Sequence, residues 1–191
     1  MSRDIWVISD THYNQPDILT FYDFKGRRVR DFADVEEMNE RIIEGWNSVV
    51  KPGDIVYHLG DVFYDRTPEH RVRFEKDWRR FNGRKRLIVG NHDDIRYLSG
   101  KDSEGRWLFE KVMFWRKYPE FGLILTHDPR HETSLYSSTD FSKQLLNVFG
   151  HIHTNPAPPG PYYCVCVEQV NYTPVHIETL AVEAKQWNDR N

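Results

Sequence analysis

Cysteine is scarce in this sequence, and the two that occur, Cys164 and Cys166, are separated by a single residue. Such a pair makes no disulfide framework, so a disulfide-stapled secreted domain is excluded and a reduced, cytoplasmic environment is expected. On a strand both thiols would face one side, and we expect them to be buried as small hydrophobic side chains. The first residues show no signal-peptide pattern, which favours the same compartment.

Long apolar runs and an excess of charge of one sign are also absent. Because no run reaches the roughly 20 residues of a membrane-spanning helix, no membrane partner is expected. The 26 basic and 29 acidic side chains give a net charge of −3, which argues against a protein that binds a nucleic-acid backbone over its whole surface. Aromatic residues make up 14% of the chain, so disorder is excluded and residues 1–191 are expected to form one domain.

Apolar periodicity predicts the secondary structure. Asp34 and Glu37 resemble a capping box before a strongly periodic helix, Thr67–Pro68 begins a second helix, and a third is expected over about 178–188. Short apolar runs predict strands at 5–8, 55–59, 87–89, 112–115, 122–126, 145–149 and 162–167. Strands that alternate with helices and then crowd together predict an α/β layered fold with mixed sheets.

Side chains that commonly bind metals follow five of the predicted strands. The carboxyl ends of strands are where sites gather in open α/β sheets, and core packing does not explain so many polar residues of one chemical kind. The candidates are Asp10, His12, Asp61, Asn91, His92, His127, His151 and His153.

The spacing of these candidates has a physical reason. Asp10 and His12 are two residues apart, as are His151 and His153, so each pair faces one side of extended chain. Asp61, placed centrally, could bridge two ions. Nitrogen and oxygen ligands suit zinc, manganese or iron rather than soft thiolate chemistry. A glycine, which allows close backbone approach to an ion, precedes three of the candidates, as Gly60, Gly90 and Gly150.

The ordered set of motifs resembles the calcineurin-like metallophosphoesterase superfamily, and within it the small bacterial and phage-type phosphoesterases. Each motif alone is common, but the five must coincide in order. They read Asp10-Thr11-His12, Gly60-Asp61, Gly90-Asn91-His92-Asp93, His127 and Gly150-His151-Ile152-His153.

This resemblance implies a fold and a pair of metal ions. The fold would be a four-layer αββα arrangement, in which two mixed sheets pack as a sandwich with helices outside. Two divalent ions are expected, with manganese favoured and zinc, iron, nickel or cobalt as alternatives. Asp61 would bridge the ions, one held also by Asp10, His12 and His153, and the other by Asn91, His127 and His151.

The resemblance also implies an activity. Asn91 and His92 would contact the substrate, and His92 would be the catalytic residue that protonates the leaving oxygen. The expected reaction is hydrolysis of a phosphodiester, or of a phosphomonoester, by a hydroxide held between the metals. The substrate would be a small phosphate ester, with a nucleotide as one candidate.

Two alternatives of other classes stay open. One is a scaffold on the same fold that binds metal without catalysis. The other is a nuclease that uses the basic runs Arg27-Arg28-Val29-Arg30 and Arg84-Lys85-Arg86 to attract nucleic acid. We expect both runs to be solvated surface, although the first follows the Asp10 motif closely and is a candidate substrate contact.

Several further polar residues lie near the motifs. His58 falls within a predicted strand and is expected to be structural, and His131 is expected to be a surface residue of the 128–142 loop. Asp93 could orient His92 or stabilise a turn. The protein-phosphatase branch places an Asp-Arg pair one residue earlier than Asp65–Arg66 stands here, so a role for Asp65 stays open.

Overall fold

A computed structural model of the protein describes residues 3–64, 67–136 and 143–190. The strands form two mixed sheets, as expected from the sequence. The five-stranded sheet has the order β4–β3–β2–β1–β9, with β1 Ile5–Ile8, β2 Ile55–His58, β3 Arg84–Ile88, β4 Lys111–Met113 and β9 Val175–His176. The four-stranded sheet has the order β5–β6–β7–β8, with β5 Trp115–Tyr118, β6 Leu123–Thr126, β7 Leu146–Phe149 and β8 Tyr162–Cys164.

The helices begin where the sequence places their caps. The carboxylate of Asp34 accepts a hydrogen bond from the Glu37 amide at 2.8 Å, and the Glu37 side chain accepts one from the Ala33 amide at 2.6 Å, which completes a capping box. The hydroxyl of Thr67 likewise accepts a bond from the His70 amide. The helices are α1 Val35–Val49, α2 Pro68–Trp78, the short α3 Ile95–Leu98 and α4 Ile177–Arg190.

Two apolar clusters hold these layers together. The first joins α1 and α2 to the five-stranded sheet through side chains such as Trp46, Phe74 and Leu87. The second joins the two sheets, and it includes Val7 from the first and Leu125 from the second. The predicted architecture of two mixed sheets with helices outside them is therefore confirmed, and burial of both interfaces supplies the main driving force for it.

The strand directions bring the polar loops together. Strands β1, β2, β3 and β4 run parallel, so their carboxyl ends meet at one edge. In the other sheet β6, β7 and β8 are also parallel. The two edges are joined where the Ser9 amide donates to the Val165 carbonyl at 2.9 Å. Loops from both sheets consequently open onto the same region.

Three predicted strands differ from the structure by more than one residue at an end. The run 112–115 is two strands in different sheets, because the chain leaves the first sheet at Phe114, which is exposed. The run 162–167 ends as a strand at Cys164, and the next residues cross to the first sheet, where Cys166 pairs with Ser9 directly after β1. Strand β3 begins at Arg84 rather than Leu87, so the second basic run lies within a sheet and is not simply solvated surface. Among the described residues, no helix is both long and apolar enough to cross a bilayer.

Candidate metal centre

Hydrogen bonds join the loops after β1 and β2 along their backbones, and side chains join the loop after β3 to them. The Asp10 amide donates to the Gly60 carbonyl at 3.0 Å, and the His12 amide donates to the Asp61 carbonyl at 3.0 Å. The side chain of Asp61 in turn accepts a bond from the His92 amide at 2.9 Å. These hydrogen bonds continue the pairing of the strands beyond their last regular residues and fix the positions from which the polar side chains project.

Five of the eight candidate residues have a left-handed backbone. Residues other than glycine rarely adopt positive φ, and each instance costs roughly 1–3 kcal/mol unless the surrounding structure imposes it. Such conformations cluster at functional sites. The expectation that each closely spaced pair lies on extended chain is therefore wrong, because the residues of both pairs are in left-handed turns. The residues and their φ angles are Asp10 57°, His12 43°, Asp61 56°, His151 70° and His153 49°.

A first cluster consists of Asp10, His12 and His153, whose nearest nitrogen and oxygen atoms all lie within 4.8 Å of one another. His12 Nδ1 lies 2.8 Å from the carbonyl oxygen of the Gln15 side chain, so Nδ1 carries the proton and Nε2 presents its lone pair to the cluster. The buried atoms Asp10 Oδ1 and His12 Nε2 have no hydrogen-bond partner in the described structure. Two orphaned acceptors facing each other fit a bound cation.

A second cluster consists of Asp61, His127 and His151, again within 4.8 Å. His127 Nδ1 donates to the Leu59 carbonyl at 2.7 Å, which leaves Nε2 of the neutral ring as an acceptor. That atom faces another acceptor, Asn91 Oδ1, at 2.8 Å, and Asn91 Oδ1 also lies 3.0 Å from His151 Nδ1. Acceptors converge here as they do in the first cluster.

Asp61 stands between the two clusters. Its Oδ2 lies 3.6 Å from His12 Nε2 and 3.6 Å from His127 Nε2. One carboxylate therefore reaches both groups of nitrogen ligands. The donor set, which is built from imidazole, carboxylate and amide oxygen, fits two borderline divalent cations.

His92 belongs to neither cluster. Its side chain is exposed, and its ring lies 5.6 Å from that of His12 between centroids. Asn91 is exposed as well. Both therefore line the open side of the centre, where a ligand would arrive. All eight candidates are thus brought to one region, with His92 at its rim.

A buried ion pair supports the first cluster, and one of its two residues, Glu168, is not predicted by any motif. Glu168 accepts a bond from Arg30 Nε at 2.7 Å, and the same oxygen lies 3.0 Å from His153 Nδ1. The rest of the Arg30 guanidinium donates to the carbonyls of Thr11 at 2.7 Å and Asp10 at 2.5 Å. The expectation that the first basic run is solvated is therefore wrong for Arg30, which is 1% exposed.

This pair sets charges and tautomers at the centre. Burial alone would raise the pKa of Glu168, but the Arg30 guanidinium and His153 hold it below its usual range. The ionised Glu168 accepts the Nδ1 proton of His153, which turns Nε2 toward the cluster. Burial would likewise raise the pKa of Asp10, but the surrounding imidazoles, His12 foremost, keep it low. Asp10 is consequently a carboxylate, the form that binds metals.

The remaining residues near the motifs have structural roles. The carboxylate of Asp93 accepts bonds from the amides of Asp61, Val62 and Gly90 at 2.8–3.1 Å, which favours the turn-stabilising role. His58 is fully buried against Thr11, and burial lowers its pKa to about 3. It is a neutral structural histidine, as expected.

The other candidates lie on the surface, outside the described residues or, for the two cysteines, in the interior. Arg27 and Arg28 are exposed and pair with Asp23 and Asp31, and His131 is exposed and caps a 3₁₀ helix at Glu132–Ser134. Asp65 and Arg66 fall outside the described residues. Cys164 and Cys166 are free and buried, and the Cys166 thiol donates to Asp10 Oδ2 at 3.3 Å.

Gly90 lets two loops touch. A Cβ atom at this position would overlap Asp61 Oδ1 and lie 2.5 Å from the Asp61 amide nitrogen. We expect Gly90→Ala to displace Asp61 and to weaken metal binding at least tenfold, as measured by calorimetric titration with Mn²⁺. The matched control is Gly53→Ala, because nothing lies within 4 Å of the added methyl group there. Equal metal affinity in the two variants would contradict this account of the loop contact.

Comparisons with known proteins agree with the architecture. An uncharacterized protein of Methanocaldococcus jannaschii is 31% identical over 185 residues, which cover 93% of this chain and 89% of that protein. The gene 66 protein of Mycobacterium phage L5 is 35% identical over 91 residues, 46% of this chain and 39% of the phage protein. The crystal structure of an Aquifex aeolicus protein of unknown function superposes with a TM-score of 0.65 at 22% identity, covering 94% and 98% of the two chains. That likeness shows a shared fold.

The family assignment rests on the whole chain and not on a local motif. A family model for calcineurin-like phosphoesterases matches residues 3–190, a range that includes every candidate ligand and both sheets. The chain belongs to the calcineurin-like phosphoesterase family.

Proposed function

We propose that this protein is a dinuclear metal-dependent hydrolase of phosphate esters, with phosphodiesters favoured over phosphomonoesters. The observation that carries the proposal is the position of Asp61, whose carboxylate lies 3.6 Å from a histidine nitrogen of each cluster. A carboxylate shared in this way suits two cations held close together. Its location at the open edge of two sheets leaves room for a substrate.

The proposed ligand sets follow from the clusters. Asp10, His12 and His153 would hold one cation and His127, His151 and Asn91 the other, with Asp61 shared. Bound divalent cations would supply Lewis acidity toward a phosphoryl oxygen and lower the pKa of a coordinated water to roughly 7. Manganese is the favoured metal, and the nitrogen and oxygen donors also accept zinc, iron, nickel or cobalt.

The protein's own groups have distinct tasks in this reaction. Glu168 orients His153, and the Leu59 carbonyl orients His127, so that both rings present a lone pair without rearrangement. Asn91 and His92 contact the substrate at the rim. His92 is free to turn toward the leaving oxygen and to donate a proton to it. The proposed substrate is a small phosphate ester in a reduced cytoplasmic compartment.

Turnover of bis-p-nitrophenyl phosphate tests the activity directly. We expect metal-stripped protein to be inactive, to regain activity with added Mn²⁺, and to cleave the diester faster than p-nitrophenyl phosphate. Protein that takes up two equivalents of metal and turns over neither ester would favour the non-catalytic scaffold. Faster cleavage of the monoester would overturn the proposed preference for diesters but not the proposed hydrolysis of phosphate esters.

Replacing His92 by alanine separates catalysis from metal binding. We expect a loss of about 10²–10⁴-fold in kcat, because a positioned general acid contributes that much. Metal content should stay at two equivalents, because the side chain belongs to neither cluster. His176→Ala is the control, since this histidine lies on the edge strand β9, faces Asp4 and belongs to neither cluster. A fall in the metal content of the His92→Ala protein would make His92 a ligand and contradict the role proposed here.

A further inference from the structure

A cavity of about 370 Å³ lies on the four-stranded sheet, on a face formed by β5, β6 and the loop that follows β6. Trp115 pairs with Thr126 and Lys117 with Ile124 in the antiparallel register, so alternate residues of these strands face one side. The lining residues are Trp115, Lys117, Ile124, Arg130, His131 and Ser134. No residue of either metal cluster is among them.

The loop that forms one wall of this cavity is attached to the sheet by hydrogen bonds and by one buried side chain. The Arg130 amide donates to the Asn147 side chain at 2.7 Å, and the Tyr162 hydroxyl donates to the Arg130 carbonyl at 2.6 Å. Leu135, which is fully buried, packs with Ile124 and anchors the loop on the sheet. These contacts fix the backbone that carries Arg130 beside the sheet, while the side chain of Arg130 itself is exposed.

The charge of the lining is of one sign. It contains Lys117 and Arg130 and no carboxylate, and within residues 3–64, 67–136 and 143–190 neither cation forms a salt bridge. Most other arginines of the protein do pair with an acid, as Arg73 does with Glu36 at 2.9 Å. Unpaired cations that line a concave surface favour an anionic ligand.

The lining also offers an aromatic platform. Trp115 is 51% exposed, and an exposed indole beside cations is the combination that stacks a nucleobase while the phosphate is neutralised. The volume lies within the range of small-molecule sites. A bare phosphate would leave the indole unused, and an uncharged ring would leave both cations unused.

We propose that this cavity is a binding site for a nucleoside monophosphate, separate from the metal centre. The base stacks on Trp115, and Lys117 and Arg130 bind the phosphate. The site adjoins the metal centre through β6, because Thr126 lies opposite Trp115 and directly precedes His127. This inference does not depend on the proposed hydrolytic activity.

Calorimetric titration of AMP into metal-stripped protein tests the site. Without metal ions, AMP cannot bind by coordination at the metal centre, so the binding that is measured belongs to the cavity. We expect binding that weakens as salt rises. Trp115→Ala should weaken AMP at least about fivefold, the lower end for loss of one stacked base, and Trp115→Phe should restore most of the affinity. The double variant Lys117→Gln with Arg130→Gln should show no measurable binding of AMP at any salt concentration.

Two matched controls lie outside the cavity. Trp107 is 60% exposed beside Lys101, and Arg116 lies on the same strand as Lys117 but over Tyr118 on its other face. Trp107→Ala and Arg116→Gln should leave AMP affinity unchanged. The proposal is overturned if the wild-type protein does not bind AMP, if the control and cavity variants bind it equally, or if inorganic phosphate binds as tightly as AMP.

Discussion

Asp61→Asn should lose at least about a hundredfold in kcat/KM, because a ligand shared by two cations contributes several kcal/mol of charge stabilisation. The substitution keeps an oxygen that can accept the His92 amide hydrogen bond, so the loop should retain its shape. The protein should bind fewer than two equivalents of Mn²⁺. Thermal unfolding with and without Mn²⁺ measures this independently, since metal binding raises the stability of the native state.

Asp128→Asn is the matched control for this experiment. Asp128 follows the candidate ligand His127 but is exposed, so removal of its charge should leave activity and metal content within twofold of the wild-type values. An Asp61→Asn protein that retained two metal equivalents and full activity would refute the bridging assignment. Equal losses in both variants would show that overall negative charge matters rather than the position of Asp61.

Arg30→Met should lower the free energy of unfolding by about 3–5 kcal/mol, because it leaves the buried Glu168 carboxylate without its cation. The side chains of this pair are 0% and 3% exposed. For a protein of this length the loss corresponds to a fall of about 10 °C in Tm, which calorimetry at pH 7 measures. The backbone of Asp10 and Thr11 also loses two hydrogen-bond donors.

Arg28→Met provides the comparison for that change. Arg28 lies two residues earlier, is exposed and faces Asp31 at 3.6 Å, and exposed pairs of this kind contribute at most about 1 kcal/mol. A similar Tm for both variants would contradict the role of Arg30.

Glu168→Gln tests the support of the metal centre, although it also breaks the buried ion pair with Arg30 and so lowers stability as Arg30→Met does. The glutamine keeps the shape of the side chain but removes the charge that orients His153, so affinity for Mn²⁺ should fall about 10–100-fold. Glu44→Gln is the matched control, because Glu44 is exposed on α1 and the same change of charge is made there, away from both clusters. Unaltered Mn²⁺ affinity in Glu168→Gln would show that His153 does not need this partner.

The regular elements near the centre could be predicted because their signals are local. The capping pattern at Asp34 and the apolar run 5–8 depend on neighbouring residues, and the structure has α1 and β1 at those places. The run 112–115 is predicted as one strand but is divided between two sheets, because four consecutive apolar residues do not indicate which sheet each of them joins. Only the contacts of Phe114 and its neighbours decide that.

The ion pair of Arg30 and Glu168, which supports the metal centre, could not be predicted for a related reason. Arg30 looks like its exposed neighbours Arg27 and Arg28, and nothing close to it in the chain marks Glu168 as its partner, 138 residues away. Which arginine is buried depends on which one meets the carbonyls of Asp10 and Thr11 in the folded state.

Residue types and local periodicity are enough to predict which atoms can bind metal and which strand ends carry them, because both are properties of short segments. Three features follow only from tertiary packing: Asp61 faces both groups of histidines, one nitrogen of each ring is turned inward, and particular charges are buried. Those features depend on distances between loops of two sheets, and such distances exist only once the sheets have packed together.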